Sequence, residues 1–158
     1  MADLEVNIGE LAIGSDPATL IASAIGSCLV VTLYDPKRKI GALAHAMLPS
    51  SNSHERMGEG HGPRGDGRDP KFVDEAIEEM LARLKALGTI KEDLQAKLIG
   101  GANMFPGVGL DIGEKNIART KATLEHQDIP FIGEVGGTQG RSVEFSVATG
   151  VVTVKSKF

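Results

Sequence analysis

The sequence predicts an α+β fold: a layered sandwich of mixed, mostly antiparallel β-sheet with two main helices packed on it. Three observations point there. Only two segments carry an apolar stripe at helical spacing, against seven or eight short β-rich runs. Most of those runs are joined by turns rather than helices, so the strict alternation of a doubly wound sheet is missing.

Leu4-Glu5-Val6-Asn7-Ile8 alternates apolar and polar residues as a half-buried strand does, and Glu10-Leu11-Ala12-Ile13 resumes after Gly9. Gly14-Ser15-Asp16-Pro17 marks a turn. Thr19 to Ile25 forms the next strand and runs into Gly26-Ser27-Cys28, where the glycine permits a bend that exposes the thiol. Cys28 heads Leu29-Val30-Val31-Thr32-Leu33-Tyr34, which pairs across a Pro-containing turn with Ile40-Gly41-Ala42-Leu43-Ala44-His45-Ala46-Met47. With Asp35-Pro36-Lys37-Arg38 as a four-residue loop, Tyr34 faces Lys39 and Cys28 faces His45, their Cβ atoms roughly 5 Å apart. Both faces of this hairpin are fairly apolar, so the pattern specifies the register weakly, and a one-residue slip sends the two groups to opposite faces.

From Pro49 to Asp69 glycine, serine and charges dominate, which predicts a long exposed loop. His54 and His61 lie in it without the several convergent ligands that zinc takes, and are read as solvated side chains. The next segment reads as a helix with Asp69 as N-cap, Pro70 in the first turn and Gly88 past the end; its stripe is Val73, Ala76, Ile77, Met80, Leu81, Leu84 and Leu87. Ala96-Lys97-Leu98-Ile99 is a strand that ends in Gly100-Gly101, where a close backbone approach to the Cys28 region is expected. Met104 and Phe105 follow as core plugs or as an exposed partner contact.

A second helix has Asp111 and Glu114 at capping-box spacing, places Ile112, Ile117, Ala118, Lys121 and Leu124 on one face, and ends near Gln127. Pro130–Val135, Ser142–Val147 and Val151–Lys155 close the chain as strands.

The length of 158 residues suits one domain with one core. A net charge of −4 makes nucleic acid and anionic lipid unlikely partners. No apolar run approaches the ~18 residues of a membrane span, and Met1-Ala2-Asp3-Leu4-Glu5 lacks the features of a signal peptide, so a cytoplasmic protein is expected. Cys28 is the only cysteine, which leaves it either an inert small hydrophobe or a nucleophile.

A thiolate attacks carbon electrophiles, and an imidazole beside it can lower the thiol pKa and later protonate a leaving group. For a carboxamide, Cys28 would add to the carbonyl carbon and His45 would protonate the departing ammonia, with no metal or cofactor in the scheme. The backbone N–H groups of Ser27 and Cys28 are the natural oxyanion donors. Composition and spacing alone favour a blander alternative, a buried Cys and a hydrogen-bonded core His on neighbouring strands.

Several uncommon motifs in order shift that balance. These are Ile8-Gly9-Glu10, Gly26-Ser27-Cys28, Ala44-His45-Ala46-Met47-Leu48-Pro49, Gly100-Gly101-Ala102-Asn103-Met104-Phe105, Ile112-Gly113-Glu114-Lys115-Asn116, and Gly136-Gly137 with Gly140-Arg141-Ser142-Val143. With them the sequence resembles the chemotaxis protein CheD family, the chemoreceptor glutamine deamidases.

The resemblance implies one CheD-like deamidase domain over residues 1–158, acting on glutamines of chemoreceptor cytoplasmic helices, and in some members on glutamyl methyl esters. It also implies a CheC-type phosphatase as partner, Cys28 as nucleophile and His45 as general acid and base. The family's third catalytic member, a threonine six positions before the cysteine, falls here on Ala22. Ser23 is adjacent, but neighbours on a strand point to opposite faces, so it substitutes only across a bulge. A backbone carbonyl holding the imidazole is the other way to orient it. A non-catalytic regulator of a CheC-type phosphatase or of a receptor is the competing function.

Overall fold

The computed structural model describes residues 3–25, 28–49, 68–100, 112–135 and 141–156. Gly26, Ser27, His54, His61, Gly101, Met104, Phe105 and Asp111 lie outside them. The strands are β1 (Asp3–Glu5), β2 (Glu10–Ser15), β3 (Thr19–Ile25), β4 (Leu29–Asp35), β5 (Ile40–Ala46), β6 (Gln95–Gly100), β7 (Phe131–Val135), β8 (Arg141–Ser146) and β9 (Val152–Ser156). The helices are α1 (Val73–Ala86) and α2 (Ile112–His126).

The strands form two sheets, of order β1-β3-β8-β9 and β2-β5-β4-β6-β7. Among the strands of the described residues, β1–β3 and β6–β7 pair in parallel and the rest antiparallel. The α+β class and the mostly antiparallel pairing follow the sequence; the single expected core does not.

Two apolar layers flank the five-stranded sheet. On one side Leu29, Val31, Leu33, Ala42, Ala44 and Ala46 pack against Val73, Ile77, Met80 and Leu84 of α1 and Leu124 of α2. On the other, Val30, Tyr34, Leu43 and Ile99 meet Leu20, Ala22, Val143 and Phe145 of the second sheet. β4 is therefore buried along its whole length, which explains its unbroken apolar run. The two sheets approach so closely at Gly41 that a Cβ there would stand 2.7 Å from the Phe145 ring.

Local departures from the sequence expectation have identifiable causes. The first strand ends at Glu5 rather than Ile8, because the chain leaves one sheet for the other: the Val6 N–H still donates to the Ile21 carbonyl of β3, whereas the Gly9 N–H donates to the His45 carbonyl of β5. The β4–β5 hairpin pairs Asp35 with Ile40 and Tyr34 with Gly41, so its loop is Pro36–Lys39 and not Asp35–Arg38. The Asp35 carboxylate sets this by accepting the Lys37 and Arg38 backbone N–H groups, and it also takes hydrogen bonds from the Arg38 guanidinium and the Thr89 hydroxyl.

Helix α1 starts at Val73, with Phe72 rather than Asp69 at its N-cap. The Lys71 carbonyl accepts from the N–H groups of both Met47 and Leu48, and the Val73 N–H donates to the Leu48 carbonyl. This bridge to the end of β5 holds residues 71 and 72 out of the helix, while Asp69 instead accepts the Lys71 N–H. Leu87 lies past the helix and is exposed.

In α2 the inward side carries Asn116, Thr120, Thr123 and Leu124, with Ile117 partly buried and Ala118 and Lys121 exposed. The threonines tolerate burial because each hydroxyl donates to the carbonyl four residues back.

Candidate active site

His45 sits near the end of β5, two residues beyond Leu43, and so faces the gap between the sheets. Only 1% of it is exposed. Its Nδ1 lies 3.2 Å from the carbonyl oxygen of Val6. A carbonyl oxygen can only accept, so Nδ1 carries the proton and Nε2 presents its lone pair in the neutral ring. Nε2 is buried and finds no hydrogen-bond partner among the described residues. A buried imidazole nitrogen left bare in this way is costly in a core and useful in a base.

Cys28 immediately precedes β4 and is half-buried. The observed register places Val30, not Cys28, directly opposite His45. The hairpin is thus offset by two positions from the expected pairing, because the four-residue loop starts one residue later, after Asp35. An offset of two keeps the parity of the strand; Cys28 itself lies in a bend just before β4, and carrying the alternation of β4 back one residue would put it on the side of Val30 and His45. In that arrangement thiol and imidazole would be diagonal neighbours, a relation that separates strand positions by about 7–8 Å. β6 ends across from Leu29 with Gly100, so backbone does approach this corner closely.

Ala22, the position where the resemblance expects a hydroxyl, is fully buried on β3 opposite Val143. A bulge follows it: the ladder advances three residues on β3, from Ala22 to Ile25, against two on β8. Ser23 nevertheless stands exposed, whereas His45 is enclosed. The group found on Nδ1 is the main-chain oxygen of Val6. Side-chain reasoning could not have identified Val6, since any residue carries that oxygen; the only trace in the sequence is the adjoining Ile8-Gly9-Glu10 motif.

A second contact escaped the sequence. The Asn116 amide donates from Nδ2 to the Met47 carbonyl at 3.2 Å, tying α2 to the chain two residues past His45.

The electrostatics favour neutral partners. Burial pushes the Cys28 thiol above its ordinary value, although a hydrogen bond from its own backbone N–H acts the other way. Burial also draws the His45 imidazole below its ordinary value, against the opposing effect of the Val6 carbonyl. Both shifts favour a thiol and a neutral imidazole at rest, not a thiol pKa lowered by the imidazole. A cavity of about 760 Å³ lies elsewhere, between α1 and the end of α2, and is lined by residues such as Leu81, Leu84 and Ile90.

These features define a three-layered α+β protein in which a bare imidazole nitrogen faces the gap between the sheets and a half-buried thiol stands just before the adjoining strand. A family model described as CheD chemotactic sensory transduction matches residues 47–156. The chain is 38% identical over 158 residues to the probable chemoreceptor glutamine deamidase CheD 2 of Geobacter metallireducens, across 97% of this chain and 93% of that protein. It is 36% identical over 151 residues to the chemoreceptor glutamine deamidase CheD of Thermotoga maritima, across 95% of this chain and 89% of that protein. With the probable chemoreceptor glutamine deamidase CheD of Methanosarcina barkeri it shares 35% over 152 residues, 96% of this chain and 95% of that protein. The chain belongs to the CheD family. The family model begins beyond Cys28 and His45, whereas the 97% coverage in the Geobacter comparison includes both.

Proposed function

We propose that residues 1–158 act as one deamidase unit that converts chemoreceptor glutamine side chains to glutamate, with Cys28 as nucleophile and His45 as base and acid. The observation that carries this reading is the bare Nε2 of His45, with Cys28 just ahead of the adjoining strand, in a chain whose relatives bear the name of glutamine deamidases. Because the thiol rests protonated, His45 Nε2 takes its proton as Sγ adds to the glutamine Cδ. The oxyanion that forms is held by backbone N–H groups of Ser27 and Cys28. His45 then gives the proton to the amide nitrogen, the C–N bond breaks, and ammonia leaves a thioester. A water attacks the thioester while His45 accepts its proton. Collapse releases glutamate, and the proton returns to sulfur.

The same steps with methanol as leaving group hydrolyse a glutamyl methyl ester. The protein works in the cytoplasm on receptor helices and answers to a CheC-type phosphatase.

Ala22 favours one competing reading, a non-catalytic regulator that binds receptor or phosphatase through a surface including Met104 and Phe105. Incubating the protein with a receptor cytoplasmic fragment and measuring intact and peptide masses separates the two. A deamidation mass shift at defined glutamines, lost in Cys28→Ala, is expected. No shift with wild type, or an equal shift with Cys28→Ala, sinks the enzymatic reading.

A further inference from the structure

We propose that the turn Val6–Glu10 is the positioning element of His45, its Val6 carbonyl setting the ring tautomer where the family resemblance expects a side-chain hydroxyl at position 22. This deepens the dyad reading above and rests on it for its catalytic consequence, although the tautomer itself can be measured without any turnover.

Two bonds join the turn to His45. One runs from Nδ1 to the Val6 carbonyl at 3.2 Å, the other from the Gly9 N–H to the His45 carbonyl at 2.7 Å. Ring and backbone of the same residue are thereby gripped by groups three residues apart. The turn is braced in its own right. Val6 is 2% exposed and donates its N–H to Ile21 at 2.7 Å. Across the turn the Glu10 N–H donates to the Asn7 carbonyl at 3.0 Å, and the Glu10 carboxylate accepts the Asn7 N–H at 3.1 Å. Position 22 offers no alternative, being an alanine, and Ser23 is exposed.

Gly9 supplies a clean test. Its φ is +84°, a left-handed conformation that asparagine adopts far more readily than a β-branched residue. Among the described residues a Cβ there would meet the Lys71 Cβ, at 3.8 Å, so a substitution probes the backbone rather than the available space. Gly9→Val should loosen the turn and Gly9→Asn should preserve it.

The experiment is nitrogen NMR of the His45 ring in the folded protein, with deamidation kinetics on a receptor fragment for wild type and both variants. The wild-type ring should carry its proton on Nδ1. Gly9→Val should mix the tautomers and lower kcat about tenfold, the worth of one hydrogen bond, with KM little changed; Gly9→Asn should stay within about threefold of wild type. A wild-type ring protonated on Nε2 overturns the proposal, as does a folded Gly9→Val that keeps both the wild-type tautomer and kcat. If Gly9→Val does not fold, the wild-type spectrum still decides. If the wild type deamidates nothing, the dyad reading falls, and the spectrum again decides the role of the turn.

Discussion

The Val6 carbonyl accepts the Nδ1 proton of His45 at 3.2 Å, and the two residues belong to different layers of the sandwich. Val6 continues the ladder of β1 on β3, while His45 lies on β5 between β2 and β4. The ring is thus oriented across the seam between the sheets.

Restoring a hydroxyl at position 22 should therefore bring no catalytic gain. Ala22 is fully buried among Leu20, Val143 and Phe145. Ala22→Thr forces extra atoms and a hydroxyl into that packing, and the expected loss is about 1–3 kcal/mol. Denaturant midpoints should fall while kcat for a receptor fragment does not rise. A faster enzyme would show that the carbonyl leaves the ring poorly held.

Stability should form a plateau in pH bounded by the ordinary values of the two site residues. His45 is held below 6.5, so beneath that pH the unfolded chain takes up a proton that the folded chain refuses. Its contribution is complete above 6.5 and declines as the pH falls towards the lower folded value. Cys28 is held above 9.0, so past that pH the unfolded chain loses its proton first and stability falls again. Urea midpoints measured against pH should show both limbs, with His45→Gln flattening the acid side near 6.5 and Cys28→Ala the alkaline side. An unchanged acid limb in His45→Gln would contradict a buried neutral ring.

Asn116→Ala should loosen the exit from β5. The variant removes the donor to the Met47 carbonyl from a fully buried position, at an expected cost of about 1–3 kcal/mol. Amide hydrogen exchange at Met47 and Leu48, both bonded to the Lys71 carbonyl, is the direct measurement. Those amides should exchange faster in the variant, and unaltered protection would deny Asn116 a part in holding this segment.

Asp35 should matter for the scaffold alone. Burial by itself raises its pKa, but hydrogen bonds from Thr89, Arg38 and Lys37 outweigh this and hold the carboxyl below its ordinary 3.8. The stability it gives is present above 3.8 and is lost as the pH falls through the lower folded value. Asp35→Asn keeps the size and removes the charge; about 2 kcal/mol or more should be lost. Receptor deamidation should remain at the wild-type rate in the folded variant, since Asp35 ends β4 at the opposite end of the hairpin from His45. A selective loss of kcat would link the two ends.

Much of the fold was legible because its strands are bounded by Gly, Pro and Asp turns, and because a continuous run such as Leu29–Tyr34 fits a strand covered on both sides. What misled were side chains and carbonyls acting outside their own element. Asp35, read as the first loop residue, instead ends a strand and folds the loop beneath it. Asp69-Pro70 reads as a helix start, yet a bridge from Leu48 to Phe72 delays the helix to Val73. Thr120 and Thr123 hid the inward side of α2 by satisfying their hydroxyls on its own backbone. For the candidate site, the residue types at 28 and 45 were visible, but the expected pairing was two residues off, since Val30 and not Cys28 stands opposite His45. The carbonyl that meets the ring was not visible, because a main-chain atom has no signature in composition.

His45 belongs to one sheet and Cys28 leads into the neighbouring strand of that sheet, whereas the oxygen that meets the ring hangs from the other. Were the two layers to draw apart, the ring would lose the oxygen that aims it. The tautomer of this one histidine would therefore gauge whether the sandwich is closed, and the proposed chemistry would depend on the docking of the layers as well as on the β4–β5 hairpin.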